Sequence, residues 1–270
     1  MDLKLNNKTA VITGAGGAIC GAIAEALSEE GANVSIWDLD KQAGDAKAET
    51  INSKGGKAIA VACDVLDRGN IEKAAEETVR AFGTIDILIN GAGGAHKKAT
   101  TSPDNEFFDL KTEDITHGVH MNYLSAVIPS QVVGKIFAEK KEGVILNITS
   151  VAGISPVTRA ISYANGKAAA TNFTKWLAVH MVQNYSPNIR VNAIAPGFII
   201  TKQNYFLLID EKTEELTERG RTILDRVPIN RFGKPEEIVG LALLLVSEKS
   251  SFVTGSVMTI DGGLTAFPGV

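Results

Sequence analysis

Apolar positions along this chain fall into blocks with two different periods. Thr9–Thr13, Asn33–Trp37, Lys57–Ala62, Asp86–Asn90, Val144–Thr149, Ile189–Ala195 and Val257–Ile260 are short, Val- and Ile-rich and apolar almost without interruption. Such runs predict strands buried on both faces, because a sheet with one wet face would alternate. Between them lie longer Ala-rich, charged segments with helical spacing: Ile19–Glu30, Lys41–Ser53, Arg68–Ala81, Glu113–Glu139, Ser162–Asn184 and Pro235–Val246. Gly83 reads as the stop of the third helix and Pro129 as an internal kink in the fourth. Pro235 suits a helix's first turn. Strand and helix alternating throughout predict an α/β chain. The expected architecture is a single-domain Rossmann-type doubly wound fold, about seven parallel strands with helices on both faces.

Composition narrows the class. The chain has 270 residues, 27 Lys+Arg against 31 Asp+Glu, a net charge of -4, two cysteines and 44% hydrophobic residues. That is too apolar for a disordered chain. Two cysteines cannot staple this length, so a reducing compartment, the cytoplasm, is expected. No apolar run approaches the roughly 20 residues of a membrane span, and the N-terminus shows no signal-peptide pattern. A slightly acidic chain without a basic stripe is a poor nucleic-acid binder. No linker breaks the sequence, so residues 1–270 are expected to form one domain. The polar stretch 201–231 is too long for a plain loop and predicts a lid over a substrate.

Chemistry enters at the first strand–helix junction, Thr13-Gly14-Ala15-Gly16-Gly17-Ala18-Ile19-Cys20-Gly21. A glycine-rich turn there lets backbone N–H groups and the helix N-terminus approach a pyrophosphate. The strict G-x-G-x-x-G string is absent, because Ile19 takes the last glycine position. Asp38 ends the second strand, where a carboxylate can bind ribose hydroxyls and repel a 2′-phosphate. Asp40 is the better cap for the following helix, which leaves Asp38 for the ribose. These residues favour NAD(H), with NADP(H) left open. Tyr163 and Lys167, one helical turn apart, can act as an acid/base pair, since a nearby ammonium favours the phenolate. Ser150 ends the preceding strand and can hold a carbonyl oxygen beside the phenol. No cluster has metal-ligand spacing, so no metal is expected.

Taken in order, these pieces resemble the short-chain dehydrogenase/reductase family over essentially the whole chain. The match includes the glycine turn, Asp64-Val65, Asn90-Gly91-Ala92-Gly93, Asn122, Ser150, Tyr163, Lys167, Pro196-Gly197 with Thr201, and Asp261-Gly262-Gly263. The resemblance implies that Tyr163 is the general acid/base and that Ser150 polarises the substrate oxygen. It implies that Lys167 lowers the tyrosine pKa and binds the nicotinamide ribose, and that Asn122 holds a proton-relaying water. Gly14, Gly16, Gly17, Ala18 and Ile19 would cradle the pyrophosphate, and Asp64 and Val65 would meet the adenine. Asn90, Gly91 and Ala92 would line the cofactor cleft. Pro196, Gly197 and Thr201 would lie at the nicotinamide end. The chain departs from the family pattern at Ala18 and Cys20, where glycines are usual. Cys20 reads as a small buried hydrophobe. Gly166, inside the Tyr163–Lys167 turn, costs the helix about 1 kcal/mol relative to Ala.

Finer features resemble the sugar-acid branch of the family, the D-mannonate oxidoreductase (D-fructuronate reductase) group. They include Gly91–His96, Lys98–Thr101, Phe107–Leu110, Trp176–His180 and Pro196–Phe198 with Asn204. The implied reaction interconverts D-mannonate and D-fructuronate. His96, Arg159 and Asn204 are candidate contacts for a small sugar-acid substrate, whereas Lys97 and Lys98 read as solvated loop charges. Rival readings are gluconate 5-dehydrogenase-like, polyol/ketone dehydrogenase-like and acyl-carrier ketoreductase-like activities. A dinucleotide-binding regulator without turnover would be expected to lack Tyr163 or Lys167. The family resemblance also implies a homotetramer.

Overall fold

The structure is a computed structural model describing residues 2–267. Seven strands form one wholly parallel sheet in the order β3-β2-β1-β4-β5-β6-β7. They are β1 (Thr9–Thr13), β2 (Asn33–Asp38), β3 (Lys57–Ala62), β4 (Ile87–Asn90), β5 (Gly143–Ile148), β6 (Ile189–Pro196) and β7 (Val257–Ile260). Each agrees with the expected run to within one residue at either end. Every residue of β1, β4 and β6 is buried, as the unbroken apolar runs require.

The longer helices are α1 (Ala18–Glu29), α2 (Lys41–Ser53), α3 (Arg68–Phe82), α4 (Thr112–Lys140), α5 (Ile161–Asn184) and α8 (Glu236–Val246). Asp40 caps α2, accepting from the N–H groups of Gln42 and Ala43, and Gly83 ends α3 in the left-handed region at φ 85°. α4 continues through Pro129 without a break. The expected lid contains two short helices, α6 (Tyr205–Leu208) and α7 (Glu218–Leu224).

Two apolar layers sandwich the sheet. Ile12, Ile23, Leu27, Ile36 and Leu245 belong to the layer that holds α1 and α8. Val11, Trp37, Leu88, Phe137, Phe173 and Leu177 belong to the layer that holds α4 and α5. A small third cluster, Leu208, Ile223 and Val227, lies under the lid. The strand order reverses between β1 and β4. Loops leaving these two carboxyl ends diverge there and open the crevice in which doubly wound sheets bind ligands.

Candidate active site

The glycine turn sits at that crevice. Gly14 adopts φ 69°, and a Cβ there would come within 3.0 Å of the Ala92 backbone. The Thr13 hydroxyl accepts from the N–H groups of Gly91 and Ala92, at 3.0 and 3.1 Å, and so ties the ends of β1 and β4 together. Gly17 is the N-cap of α1 and supplies no side-chain cap. The first-turn N–H groups of α1 are therefore left for an anion.

Asp38 accepts from the N–H of Gly16 and of Asp40, both at 2.9 Å. A carboxylate has about four acceptor sites, so it retains capacity for ribose hydroxyls. The neighbouring cations are engaged elsewhere: Lys41 pairs with Asp45 at 2.8 Å, and Lys47 pairs with Glu25. The turn, the uncapped helix and the carboxylate fit a dinucleotide. Cys20 is 4% exposed, and a Cβ on Gly91 would overlap its sulfur. Burial pushes its thiol pKa up to about 12, which makes it packing material.

Several expected cofactor contacts have structural work of their own. The Asn90 side chain is buried and donates to the Ala126 carbonyl, Ser130 Oγ and Asn147 Oδ1. It pins β4 to α4 and β5 instead of facing the cleft, so only its backbone neighbours Gly91 and Ala92 reach the crevice. Asp64 caps its own turn by accepting from Leu66 N–H at 2.9 Å, and half-buried Val65 packs on the apolar layer of α4. Gly197 passes so close to Asp261 that a Cβ would lie 2.7 Å from its Cα.

Ser150, Tyr163 and Lys167 come together at the end of β5 and the start of α5. Ser150 Oγ accepts from Ala152 N–H at 3.1 Å, which leaves its own proton to donate. Lys167 is 5% exposed, donates to the Ile148 carbonyl at 2.8 Å, and places Nζ 5.8 Å from the Tyr163 ring centroid. Burial lowers the Lys167 pKa to about 8. Burial raises the Tyr163 pKa, and its hydrogen bond with Ser150 pulls it back down. Desolvation destabilises the Lys167 ammonium, and the Ser150 hydroxyl favours the phenolate.

Gly166 has its reason here. A Cβ at this position would lie 2.6 Å from Asn122 Cβ and 3.0 Å from the Val119 carbonyl oxygen. The glycine lets α4 and α5 cross closely and brings Asn122 beside the Tyr163–Lys167 turn. Asn122 Nδ2 donates to the carbonyls of Gly94 and Gly118, and its Oδ1 accepts from Gly94 N–H at 3.0 Å. Its side chain therefore holds the loop after β4 in place.

A cavity of about 630 Å³ begins at Val151, the residue after Ser150, and is lined also by Thr158, Arg159, Phe198, Arg219 and Arg226, among others. Of the three expected substrate contacts, Arg159 lines it. Asn204 does not, because Oδ1 accepts from Thr201 N–H and Nδ2 donates to the Ile199 carbonyl, both at 2.8 Å. Its amide closes its own loop. His96 Nε2 lies 3.0 Å from Asp114 Oδ1, and its ring packs edge-on against His117. Arg219 and Arg226 escape sequence reasoning, since about 60 residues separate them from Arg159. Among the described residues, no group of three His, Cys, Asp or Glu side chains could hold a metal ion. No described helix is long and apolar enough to cross a membrane.

This sheet, crevice and Ser-Tyr-Lys constellation define a dinucleotide-dependent oxidoreductase, and comparison with known proteins agrees. A family profile described as enoyl-(acyl carrier protein) reductase matches residues 14–265. An uncharacterized oxidoreductase from Bacillus subtilis, UxuB, is 41% identical over 99% of this chain and 98% of its own length. A Haemophilus influenzae structure provisionally named D-mannonate oxidoreductase, solved with bound NAD, is 41% identical. It superposes with a TM-score of 0.92 over 98% of both chains. A 3-oxoacyl-[acyl-carrier-protein] reductase, FabG, from Thermotoga maritima is 35% identical over 97% of this chain and 99% of its own. The chain belongs to the short-chain dehydrogenase/reductase family and is an NAD(P)-dependent oxidoreductase acting on alcohol or ketone groups.

Proposed function

We propose that this enzyme oxidises the hydroxyl of a small sugar acid, D-mannonate, to the ketone D-fructuronate, and runs the reverse reduction, with NAD(H). The observation that carries the reading is the Ser150–Tyr163–Lys167 set, with an arginine-lined cavity that begins at Val151, the residue after Ser150. Its volume suits a compact ligand. Similarity to the NAD-bound relative supports both substrate and cofactor. Asp38, beside which Lys41 and Lys47 are paired with other carboxylates, disfavours a 2′-phosphate.

Gly14, Gly16, Gly17, Ala18, Ile19, Asp38, Asp64, Val65, Gly91 and Ala92 would hold the adenosine and pyrophosphate. Lys167, Pro196, Gly197 and Thr201 would hold the nicotinamide end. Bound there, the nicotinamide supplies the hydride acceptor or donor. Ser150 turns its O–H from Tyr163 to the substrate oxygen and fixes it beside the phenol. During oxidation, Tyr163 Oη takes the hydroxyl proton, and during reduction it returns one. Lys167 holds the ribose and stabilises the phenolate while charged. Asn122 positions the loop that lies over Lys167.

An acyl-carrier substrate fits less well. The lid stretch from Asp210 to Glu218 carries Asp210, Glu211, Glu214, Glu215 and Glu218, which would repel an acidic carrier protein. We place the enzyme in the cytoplasm as a homotetramer. On α5, Trp176 and Val179 are exposed at 58% and 55%, a surface suited to a second copy.

NADH formation from D-mannonate tests the reading. Wild-type enzyme should turn it over, and Tyr163→Phe should lower kcat by about a thousandfold. Turnover of 3-oxoacyl thioesters with none of any sugar acid would overturn it.

A further inference from the structure

The cavity that begins at Val151 concentrates positive charge that the proton chemistry does not use. Arg159, Arg219 and Arg226 all line it, and Glu218 is the one acid on its wall. Among the described residues, arginine ion pairs within 4.0 Å involve Arg68, Arg221 and Arg231, not these three. Arg219 is half-buried, and among the described residues its guanidinium makes one hydrogen bond, a long one of 3.5 Å to Thr158 Oγ1. Burial and the Arg159 guanidinium both push its pKa down, so the two cations face each other at a cost. Clustered guanidiniums outside such ion pairs are stable partners for an anion that arrives from outside.

The backbone makes the same point independently. Arg159 sits in the left-handed region at φ 77°, a conformation that bulky side chains rarely adopt. Its carbonyl is held there by Thr101 N–H at 3.0 Å, from the loop after β4. Local strain kept by a long-range tie is typical of residues placed for a ligand. Thr101 thereby finds a role, since it holds the Arg159 backbone at the cavity wall.

We propose that Arg219 and Arg159 form a two-guanidinium receiver for the substrate's carboxylate, which sets the reacting hydroxyl against Ser150 and Tyr163. The receiver rests on the oxidoreductase reading above and specifies its substrate class as a small hydroxy or keto acid. Thr158 steadies Arg219. Arg226, more exposed at the rim, attracts the anion without fixing its orientation.

Steady-state kinetics with NAD should compare D-mannonate with D-mannitol, which has a hydroxymethyl group in place of the carboxylate. The wild-type preference for D-mannonate, as a ratio of kcat/KM, should fall at least tenfold in Arg219→Ala and in Arg159→Gly. KM should rise more than kcat falls, the signature of lost uniform binding. Arg219→Lys should recover part of the preference, because lysine keeps the charge but not the fork. Arg159→Gly relieves the left-handed strain, so its melting temperature should be no lower than that of the wild type. Unchanged preference in both variants overturns the receiver, as does a parallel loss for charged and neutral substrates with weakened NADH binding.

Calorimetry on the NADH complex separates the receiver from the choice of D-mannonate. If wild-type enzyme leaves D-mannonate unoxidised but binds another sugar acid, such as D-gluconate, and Arg219→Ala abolishes that binding, the receiver stands and the substrate changes. Arginine-dependent binding of phosphopantetheine with no binding of any carboxylate overturns the receiver in favour of a carrier-bound substrate.

Discussion

At the residue scale the acid/base pair sets the pH response. Lys167 has a pKa lowered to about 8, whereas Tyr163 is raised by burial. Below that pH Tyr163 is a phenol and Lys167 an ammonium, and near pH 8 the lysine gives up its proton first. Oxidation needs Tyr163 as the phenolate, whose pKa burial raises, so its kcat/KM should still be climbing with pH above 8. Reduction needs a donor and should fall over the same range. Ser150→Ala removes the hydrogen bond that lowers the Tyr163 pKa, and the oxidation limb should move to higher pH. Initial rates between pH 6 and 10 in both directions check these signs. Tyr163, Lys167 and Ser150 were legible in the sequence because one helical turn and one strand end place them together. Arg219 was not, because only the folding of α7 over the loop after β5 brings it to Arg159. His96 and Asn204 carried the right chemistry for a substrate contact, but a local carboxylate and a local backbone claimed them first.

At the scale of elements, the crossing of α4 and α5 decides how the site is held. Helix propensity alone says that Gly166→Ala should stabilise α5 by about 1 kcal/mol. Packing says otherwise, because the new methyl would meet Asn122 Cβ at 2.6 Å and the Val119 carbonyl at 3.0 Å. Overpacking costs typically about 1–3 kcal/mol and should win. Urea denaturation should show a net loss of stability, and activity should fall further as Lys167 and Asn122 move apart. The same logic joins α1 to the loop after β4. Gly91→Ala would overlap Cys20 and crowd the Thr13 carbonyl at 3.0 Å. Adding Cys20→Ala should restore part of the loss, with a coupling of about 1 kcal/mol in a double-mutant cycle. Strand and helix positions were readable from periodicity, since burial on both faces leaves unbroken apolar runs. The need for Gly166 was not, because its Cβ would collide with a helix some 45 residues away in sequence.

At the scale of the whole molecule, one buried cation closes the sheet's far edge. Arg190 in β6 is 6% exposed. Its guanidinium donates to the carbonyls of Leu245, Ser247 and Val253 and to Ser250 Oγ. It thus satisfies carbonyls at the carboxyl end of α8 and the turn that leads to β7, where a positive charge is favoured. Arg190→Met should cost about 3 kcal/mol, because several buried carbonyls lose their donors together. Thermal unfolding should show it, with NADH affinity in the surviving folded fraction unchanged. Sequence patterning placed β6 but took it as purely apolar, since a single arginine inside a Val- and Ile-rich run gives no periodic signal.

The lid's own cluster, Leu208, Ile223 and Val227, shares no member with the two layers that sandwich the sheet. Its sequence can therefore drift without loosening the cofactor crevice, which is tied by Thr13 and the β1–β4 pairing. In evolutionary terms the stretch that follows Thr201, up to Arg231, is an interchangeable cassette. One stable dinucleotide frame can be refitted for new substrates by changing it and leaving the rest of the chain alone.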